Sequence, residues 1–332
     1  MTVTDAALVG RRRFWDAMQR GDADGGRAVV AQQLDDGMPG RVVIDELLVP
    51  AQRSVGLEWQ RGAWSVADEH AATAVADAGL AVVEQNAARL APVGPSVVVT
   101  CAESEWHALP ARLATQLLRE SGVRAVFLGP SVPADHLREY LVRLAPDALV
   151  LSATMPTSLA GAGRCIDAAH DVGIPVVVGG AAFGEDESRA DLLGADAWFC
   201  HSGDFVVPAL RRRTPAAAQP AWDEWRALQA GREPTCDAAL LDLLVALPAF
   251  ARAATPVQVQ RTREDLAHIV DFVAVAVLVR DETVLRTFTA WLREVLTSRG
   301  VPGSALDMSY EVLAAELGGA ASTLLTDAVK SP

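Results

Sequence analysis

Five short apolar runs, at about 96–101, 123–128, 147–152, 174–179 and 196–200, alternate with helical stretches at about 107–120, 133–145, 157–172 and 185–193. No other feature restricts the fold as much. Runs such as Ile174-Pro175-Val176-Val177-Val178 are apolar at nearly every position, which fits strands buried on both faces of a parallel sheet. Parallel neighbours need crossover connections, so this segment is predicted to form a doubly wound, five-stranded parallel sheet. Ligands of such sheets sit at the carboxyl ends of the strands. His107, Ser152 and the pair Gly179-Gly180 all fall at such ends.

Helical patterns flank the sheet segment. Before it, amphipathic stretches at about 5–20, 22–36, 39–61 and 66–87 with short joints predict a four-helix bundle. Ser65-Val66-Ala67-Asp68 reads as a capping box, which puts Glu69 and His70 about one turn into the last helix. Trp59 ends the preceding helix, so all three can face one cavity across a short hairpin; Trp64, in the hairpin, is assigned to packing. After the sheet, about 222–328 reads as helical again, including stretches at 237–253, 257–279, 281–299 and 304–318, broken by Arg299-Gly300-Val301-Pro302-Gly303. The linkers Ala91-Pro92-Val93-Gly94-Pro95 and Thr214-Pro215-Ala216-Ala217-Ala218-Gln219-Pro220 divide the chain at 1–90, 91–213 and 222–332. The fold class is α/β plus all-α.

Composition excludes several functions. A net charge of −13 over 332 residues makes nucleic acid and anionic membranes poor partners, and Arg11-Arg12-Arg13 is too small a cluster to reverse that. Cys101, Cys165, Cys200 and Cys236 are scattered, with no metal or redox spacing, which fits a reducing, cytoplasmic compartment. The first eight residues lack a signal-peptide layout, and no apolar run reaches the roughly 18 residues of a membrane span.

The chemistry centres on Glu105-Trp106-His107-Ala108-Leu109-Pro110, just after the first strand. A carboxylate two residues before a histidine can hold one ring nitrogen and leave the other for a metal. Ser152, ending the third strand, is expected to extend that relay. Glu105-x-His107-x-x-Pro110, then Ser152, then Gly179-Gly180 resembles the pattern of proteins that bind cobalamin base-off, over about 91–212. Glu105 stands where most of that family has Asp, and Pro110 where it has Gly. The resemblance implies a flavodoxin-like cobalamin-binding domain with His107 as the lower axial ligand to cobalt. Glu105 and Trp106 would flank it, and Ser152, Gly179 and Gly180 would line the slot for the nucleotide tail. Trp59, nine residues, then Glu69-His70 is similar to the signature of adenosylcobalamin photoreceptors of the CarH type. This implies that the bundle caps the corrin, Trp59 packing on adenosine and Glu69 and His70 bonding its polar edges. Gln60 takes the place of a histidine that follows the tryptophan in that family and can bind cobalt after photolysis.

In the last segment His268 and Asp271 lie three apart on one helical face, and Phe288 and Trp291 repeat that spacing on the next helix. By spacing alone these helices read as a packing or dimerisation domain. The whole arrangement, with the ending Trp291-Leu292-Arg293 and Ser298-Arg299-Gly300-Val301-Pro302, resembles photocobilins, which pair a cobalamin module with a globin-like helical domain that holds a bilin. The resemblance implies a bilin such as biliverdin against His268, Asp271 and Trp291, with one of Arg261, Arg263 or Arg286 for its propionates. Cys236 is the only cysteine of that segment, so attachment is expected to be non-covalent.

The expected function is that of a cytoplasmic light sensor, not an enzyme, with adenosylcobalamin and a bilin as chromophores. The alternatives are a corrinoid carrier for a cobalamin-dependent methyltransferase and a light-independent cobalamin-binding regulatory module. No winged-helix segment precedes the bundle, so the signal is expected to pass to a partner protein or through homo-oligomerisation rather than directly to DNA.

Overall fold

The computed structural model describes residues 3–87, 94–199 and 219–330. Cys200 and most of both expected linkers lie outside the described residues.

The first segment is helical throughout: α1 (Val3–Gln19), α2 (Ala23–Asp35), α3 (Gly40–Val43), α4 (Val49–Gln60) and α5 (Val66–Ala87). A π-helical turn, Ile44–Leu48, joins α3 to α4. Pro50 lacks an amide hydrogen and crowds the carbonyl four residues back, which lies inside that widened turn. Phe14, Met18, Val30, Ile44, Leu48, Val75 and Leu80 fill the bundle core. The start of α5 is the one the local sequence specifies: the Ser65 hydroxyl accepts from the Asp68 amide at 3.2 Å, and the Asp68 carboxylate accepts from the Ser65 amide at 2.8 Å.

The sheet consists of β1 (Ser96–Cys101), β2 (Arg124–Phe127), β3 (Ala148–Ser152), β4 (Val176–Gly179) and β5 (Ala197–Phe199). All neighbours are parallel, in the order β2-β1-β3-β4-β5. Helices α6 (Ala108–Glu120), α7 (Ala134–Leu144), α8 (Leu159–His170) and α9 (Ser188–Leu192) make the crossovers. Side chains alternate faces along each strand, so Val97, Val99 and Cys101 meet Ala111 and Leu118 of α6, while Val98 joins Leu137 and Leu141 of α7 and Ile166 of α8. Helix α6 is buried on a second side as well. Its Leu109, Leu113 and Leu117, spaced by four, belong to the core of the bundle. That seam seats the bundle on the sheet.

The last segment contains α10 (Trp222–Ala246), α11 (Pro248–Ala253), α12 (Pro256–Leu278), α13 (Thr283–Ser298), α14 (Gly303–Glu316) and α15 (Gly319–Lys330). The segment is helical from 222 onward as expected, but the boundaries differ: the helix given over 237–253 begins at Trp222, runs through Pro234 and stops before Pro248, and α15 follows the last helix given. Proline costs a helix one hydrogen bond, and burial of Cys236, Ala239 and Leu243 on α10 outweighs that local penalty. Helix α12 is apolar nearly all round from Leu266 to Leu278 and forms the centre of this segment.

The third segment is packed tightly against the sheet domain, more than a linker-tethered unit would be. One continuous apolar core runs from β3 and α8 into α10, α12 and α14. Arg189 of α9, 8% exposed, binds Asp281 at 2.8 Å and Thr283 at 2.8 Å across the boundary. A Cβ on Gly163 of α8 would lie 2.8 Å from the Trp222 ring, so small residues there let α10 approach.

Candidate functional site

The loop after β1 buries a carboxylate and exposes a histidine. Glu105 is 1% exposed, and both its oxygens are occupied. Oε1 faces His107 Nδ1 at 2.6 Å and accepts from the His107 amide at 2.9 Å. Oε2 accepts from the amides of Thr154 (2.6 Å) and Met155 (2.8 Å) and from the Ser158 hydroxyl (3.2 Å). Burial opposes ionisation, but the His107 ring and the three amides outweigh it and hold the Glu105 carboxyl down at about 2. The carboxylate is therefore a fixed anchor. His107 itself is 56% exposed by side chain. The bond from Glu105 raises its pKa against the opposing effect of burial, and the charge of Glu69 adds to the rise. In the neutral ring, a proton on Nδ1 given to Glu105 leaves the Nε2 lone pair directed away from the anchor, ready for a metal.

The relay expected to run to Ser152 runs instead to Ser158 and the two amides before it, because the chain after β3 folds back over Glu105. Ser152, 8% exposed, sits in register with Cys101 and Gly179 and accepts from the Ala102 amide through its carbonyl, at 2.9 Å. Pro110 is easily accommodated. His107 caps α6, which places Pro110 at the third helical position, where an amide hydrogen has no intrahelical partner.

The two glycines of the expected slot are not equivalent. Gly180 has φ +102, and a Cβ there would lie 2.2 Å from the Ala153 carbonyl oxygen. A Cβ on Gly179 would meet nothing closer than 3.6 Å. Spacing did not point to Gly161: its Cβ would sit 2.0 Å from the Glu103 carbonyl oxygen, so its absence lets α8 press on the β1–α6 loop. Two buried polar atoms near the strand ends, Thr154 Oγ1 and Trp198 Nε1, have no hydrogen-bond partner among the described residues. Each orphan costs about 1–3 kcal/mol. Trp106, 72% exposed, stands at the mouth beside His107. Orphaned polar atoms, a glycine cradle and an uncovered indole fit a ligand with both polar and flat apolar parts. Among the described residues no group of three or more metal-ligating side chains gathers. A metal held by His107 would thus bring most of its own ligands, as the cobalt of a corrin does, and the donor set fits such a group.

Glu69 and His70 lie at the start of α5. His70 Nδ1 is 2.7 Å from Glu69 Oε2, and Thr73 donates to Glu69 Oε1 at 3.0 Å while accepting from Gln52 of α4 at 2.8 Å. His70 is exposed. Trp59 ends α4, but its ring stacks on Trp291 of α13 with centroids 5.6 Å apart and planes at 17°. Trp64 packs on Trp15 at 5.2 Å, as assigned.

The residues expected around a second chromophore do not converge. Asp271 is gripped by Arg232 of α10 through two bonds, 2.8 and 2.9 Å, with Gln229 at 3.3 Å. His268 is exposed, and Trp291 turns to Trp59. Arg263 is bound by Asp237 and Glu233. A cavity of about 700 Å³ lies elsewhere, between the end of α4 (Gln60, Arg61) and helices α13 and α15, lined by Leu285, Arg286, Arg293 and Leu324. Of the residues expected to hold the bilin, Arg286 lines this cavity; residues 60 and 324 are too far from it in sequence for any spacing rule to join them.

Residues 95–211 match the family model described as B12 binding domain, and residues 11–84 match a second B12 binding domain model. Over 161 residues the chain is 32% identical to the HTH-type transcriptional repressor CarH of Myxococcus xanthus, covering 46% of this chain and 52% of that protein. The chain thus spans about half the length of that relative. It is 24% identical over 199 residues to trimethylamine corrinoid protein 1 of Methanosarcina mazei, covering 58% of this chain and 91% of the relative. The monomethylamine corrinoid protein of Methanosarcina barkeri superposes with a TM-score of 0.52 at 21% identity, over 59% of this chain and 95% of the other, a likeness of fold. The parallel sheet and the helical bundle thus each carry a match to a B12 binding domain model, which supports cobalamin binding.

Proposed function

We propose that the chain is a light sensor that binds adenosylcobalamin base-off, with His107 as the protein's ligand to cobalt. The observation that carries this reading is the Glu105–His107 pair: a fully held carboxylate fixes Nδ1 and leaves Nε2 free at the carboxyl end of β1. Thr154, Trp198 and the Gly180 cradle take the nucleotide tail. Trp59, Glu69 and His70 act on the opposite side, the indole stacking on adenosine and the polar pair meeting its edges. When bound, adenosylcobalamin supplies a cobalt–carbon bond that light breaks. The protein's part is to hold the bundle on α6 while adenosine is in place and to relax that hold once it leaves. No catalytic role is assigned to any residue. The signal passes to a partner protein in the cytoplasm or through homo-oligomerisation.

The test is an absorption spectrum of the full chain loaded with adenosylcobalamin, before and after green light. A light-driven change that His107→Ala abolishes supports the sensor. The similarity to corrinoid proteins favours a second reading, a carrier for methyl transfer, and that reading wins if the spectrum changes only with a reductant and a methyl donor. Unaltered spectra under both conditions leave a light-independent regulatory module. For a second chromophore, a bilin such as biliverdin in a globin-like holder, we favour the cavity between α4, α13 and α15. Arg61, Arg286 and Arg293 line it. Arg61 and Arg286 are only loosely paired, at 3.8 and 3.6 Å with Glu58 and Glu282, and Arg293 is bonded to Asp307 at 2.7 Å, whereas Asp271 is gripped by Arg232 through two bonds. Co-expression with a bilin source should give a red-absorbing band that Arg286→Ala weakens and Asp271→Asn leaves in place.

A further inference from the structure

Helix α4 buries a single residue of its twelve, Val55, so its own bundle holds its far end weakly. That end is held by α13 instead. Trp59 stacks on Trp291, and the Arg299 guanidinium lies 5.0 Å from the centre of the Trp59 ring. Gln60 donates from its side-chain amide to the Glu294 carboxylate, and its backbone carbonyl lies 3.4 Å from the Ser298 hydroxyl, whose shorter bond, 2.9 Å, goes to the Val295 carbonyl. Trp291 is itself backed by Phe288 at 5.8 Å, and Phe288 by Phe272 at 3.7 Å. Four rings thus run from the tip of the bundle into α12, which is packed against the sheet domain. These contacts form a clasp from the third segment to the bundle's aromatic residue assigned to the upper side of the cofactor.

We infer that Trp291, with Arg299 and Glu294, is a positioning element that the third segment lends to the cobalamin site. It sets the plane and reach of Trp59, and through them which upper ligand the site prefers. The inference rests on the reading that Trp59 meets that ligand. An indole on the end of a loosely packed helix samples many orientations, and a stacking partner rooted in a rigid core removes that freedom before the ligand arrives. Gln60, in the place of a ligating histidine of the CarH type, contributes to the clasp through Glu294. The third segment then acts on the cofactor without touching it.

The test uses the full chain and two cofactors, adenosylcobalamin and methylcobalamin, with the ratio of their dissociation constants as readout. Trp59→Ala should lower the preference for the adenosyl form. Trp291→Ala should lower it roughly two- to tenfold, the worth of one aromatic pair, while the His107-ligated spectrum stays as in the wild type. Trp291→Phe should restore most of it. The double variant should match Trp59→Ala alone, because the two residues act in series. A merely structural Trp291 would alter the melting temperature and not the ratio. If Trp59→Ala loses the preference and Trp291→Ala keeps it, the clasp is overturned and the sensor reading stands. If Trp59→Ala keeps the preference, the clasp and the placement of Trp59 on the upper ligand both fall, while the light-driven change that needs His107 remains the test of the sensor. Should Trp291→Ala fail to fold, Arg299→Ala at an exposed position gives the same reading: a lowered ratio supports the clasp and a wild-type ratio overturns it.

Discussion

A buried carboxylate with every lone pair engaged is a rigid object, and Glu105 gives His107 that rigidity. His107→Ala should remove the lower ligand, so cobalamin should bind weakly or keep its own base, seen as a shifted absorption band in a titration. Glu105→Gln keeps the shape but loses the charge, and should weaken cobalamin binding by about 10–100-fold, the usual loss when the partner of a metal-bound histidine is changed. The glycine pair permits a sharper comparison. Gly180→Ala forces a side chain into φ +102 and against the Ala153 carbonyl, so it should cost at least about 1–2 kcal/mol in a denaturation curve and lower affinity for the cofactor. Gly179→Ala, with ordinary contacts, should cost much less. Equal costs would show that the close approach at Gly180 is relieved by movement of the Ala153 loop.

At the scale of elements, α6 is the seam between bundle and sheet, and two kinds of contact hold it. Arg112 pairs with Asp77 at 2.7 Å and Glu84 at 2.9 Å of α5, at the edge of the seam. Leu109, Leu113 and Leu117 lie inside it. Partly exposed ion pairs contribute about 0–1 kcal/mol, whereas truncating a buried leucine costs about 2–5 kcal/mol. Leu113→Ala should therefore destabilise the bundle–sheet pair far more than Arg112→Ala, read by chemical denaturation of the protein without cofactor. The reverse order would mean that charge, rather than apolar burial, seats the bundle. The element boundaries also show what local sequence controls. Ser65 and Asp68 fix the start of α5 by bonds within four residues, and the pattern places it correctly. The start of α10 at Trp222 and its continuity through Pro234 are not placed by the pattern, because a local rule cannot weigh one lost hydrogen bond against the burial of a whole face.

At the scale of the molecule, Arg189 ties the sheet domain to the turn between α12 and α13 through Asp281 and Thr283. Burial opposes the charge on Asp281, but bonds from Thr283 and Arg189 prevail and hold its pKa below the usual 3.8. A depressed carboxylate stabilises the fold fully above its unfolded pKa and loses that contribution as pH falls through the folded value. The wild type should thus lose stability below about pH 4 more steeply than Asp281→Asn, measured by denaturation across pH 2–6. Parallel slopes would show that the tie carries no net charge energy. By itself, the sequence determined whatever depends on neighbours within a few residues: the alternation that makes the sheet, the cap of α5, the pairing of Glu105 with His107. It also placed Trp59, Glu69 and His70 on the bundle, since helical spacing is a local property. Only the tertiary structure decided which distant groups meet. It brought Ser158, Thr154 and Met155 to Glu105 across about fifty residues, bound Asp271 to Arg232, and set Trp59 on Trp291. Those pairings follow from burial summed over whole faces, as when α10, α12 and the sheet close into one core. No spacing rule contains that sum.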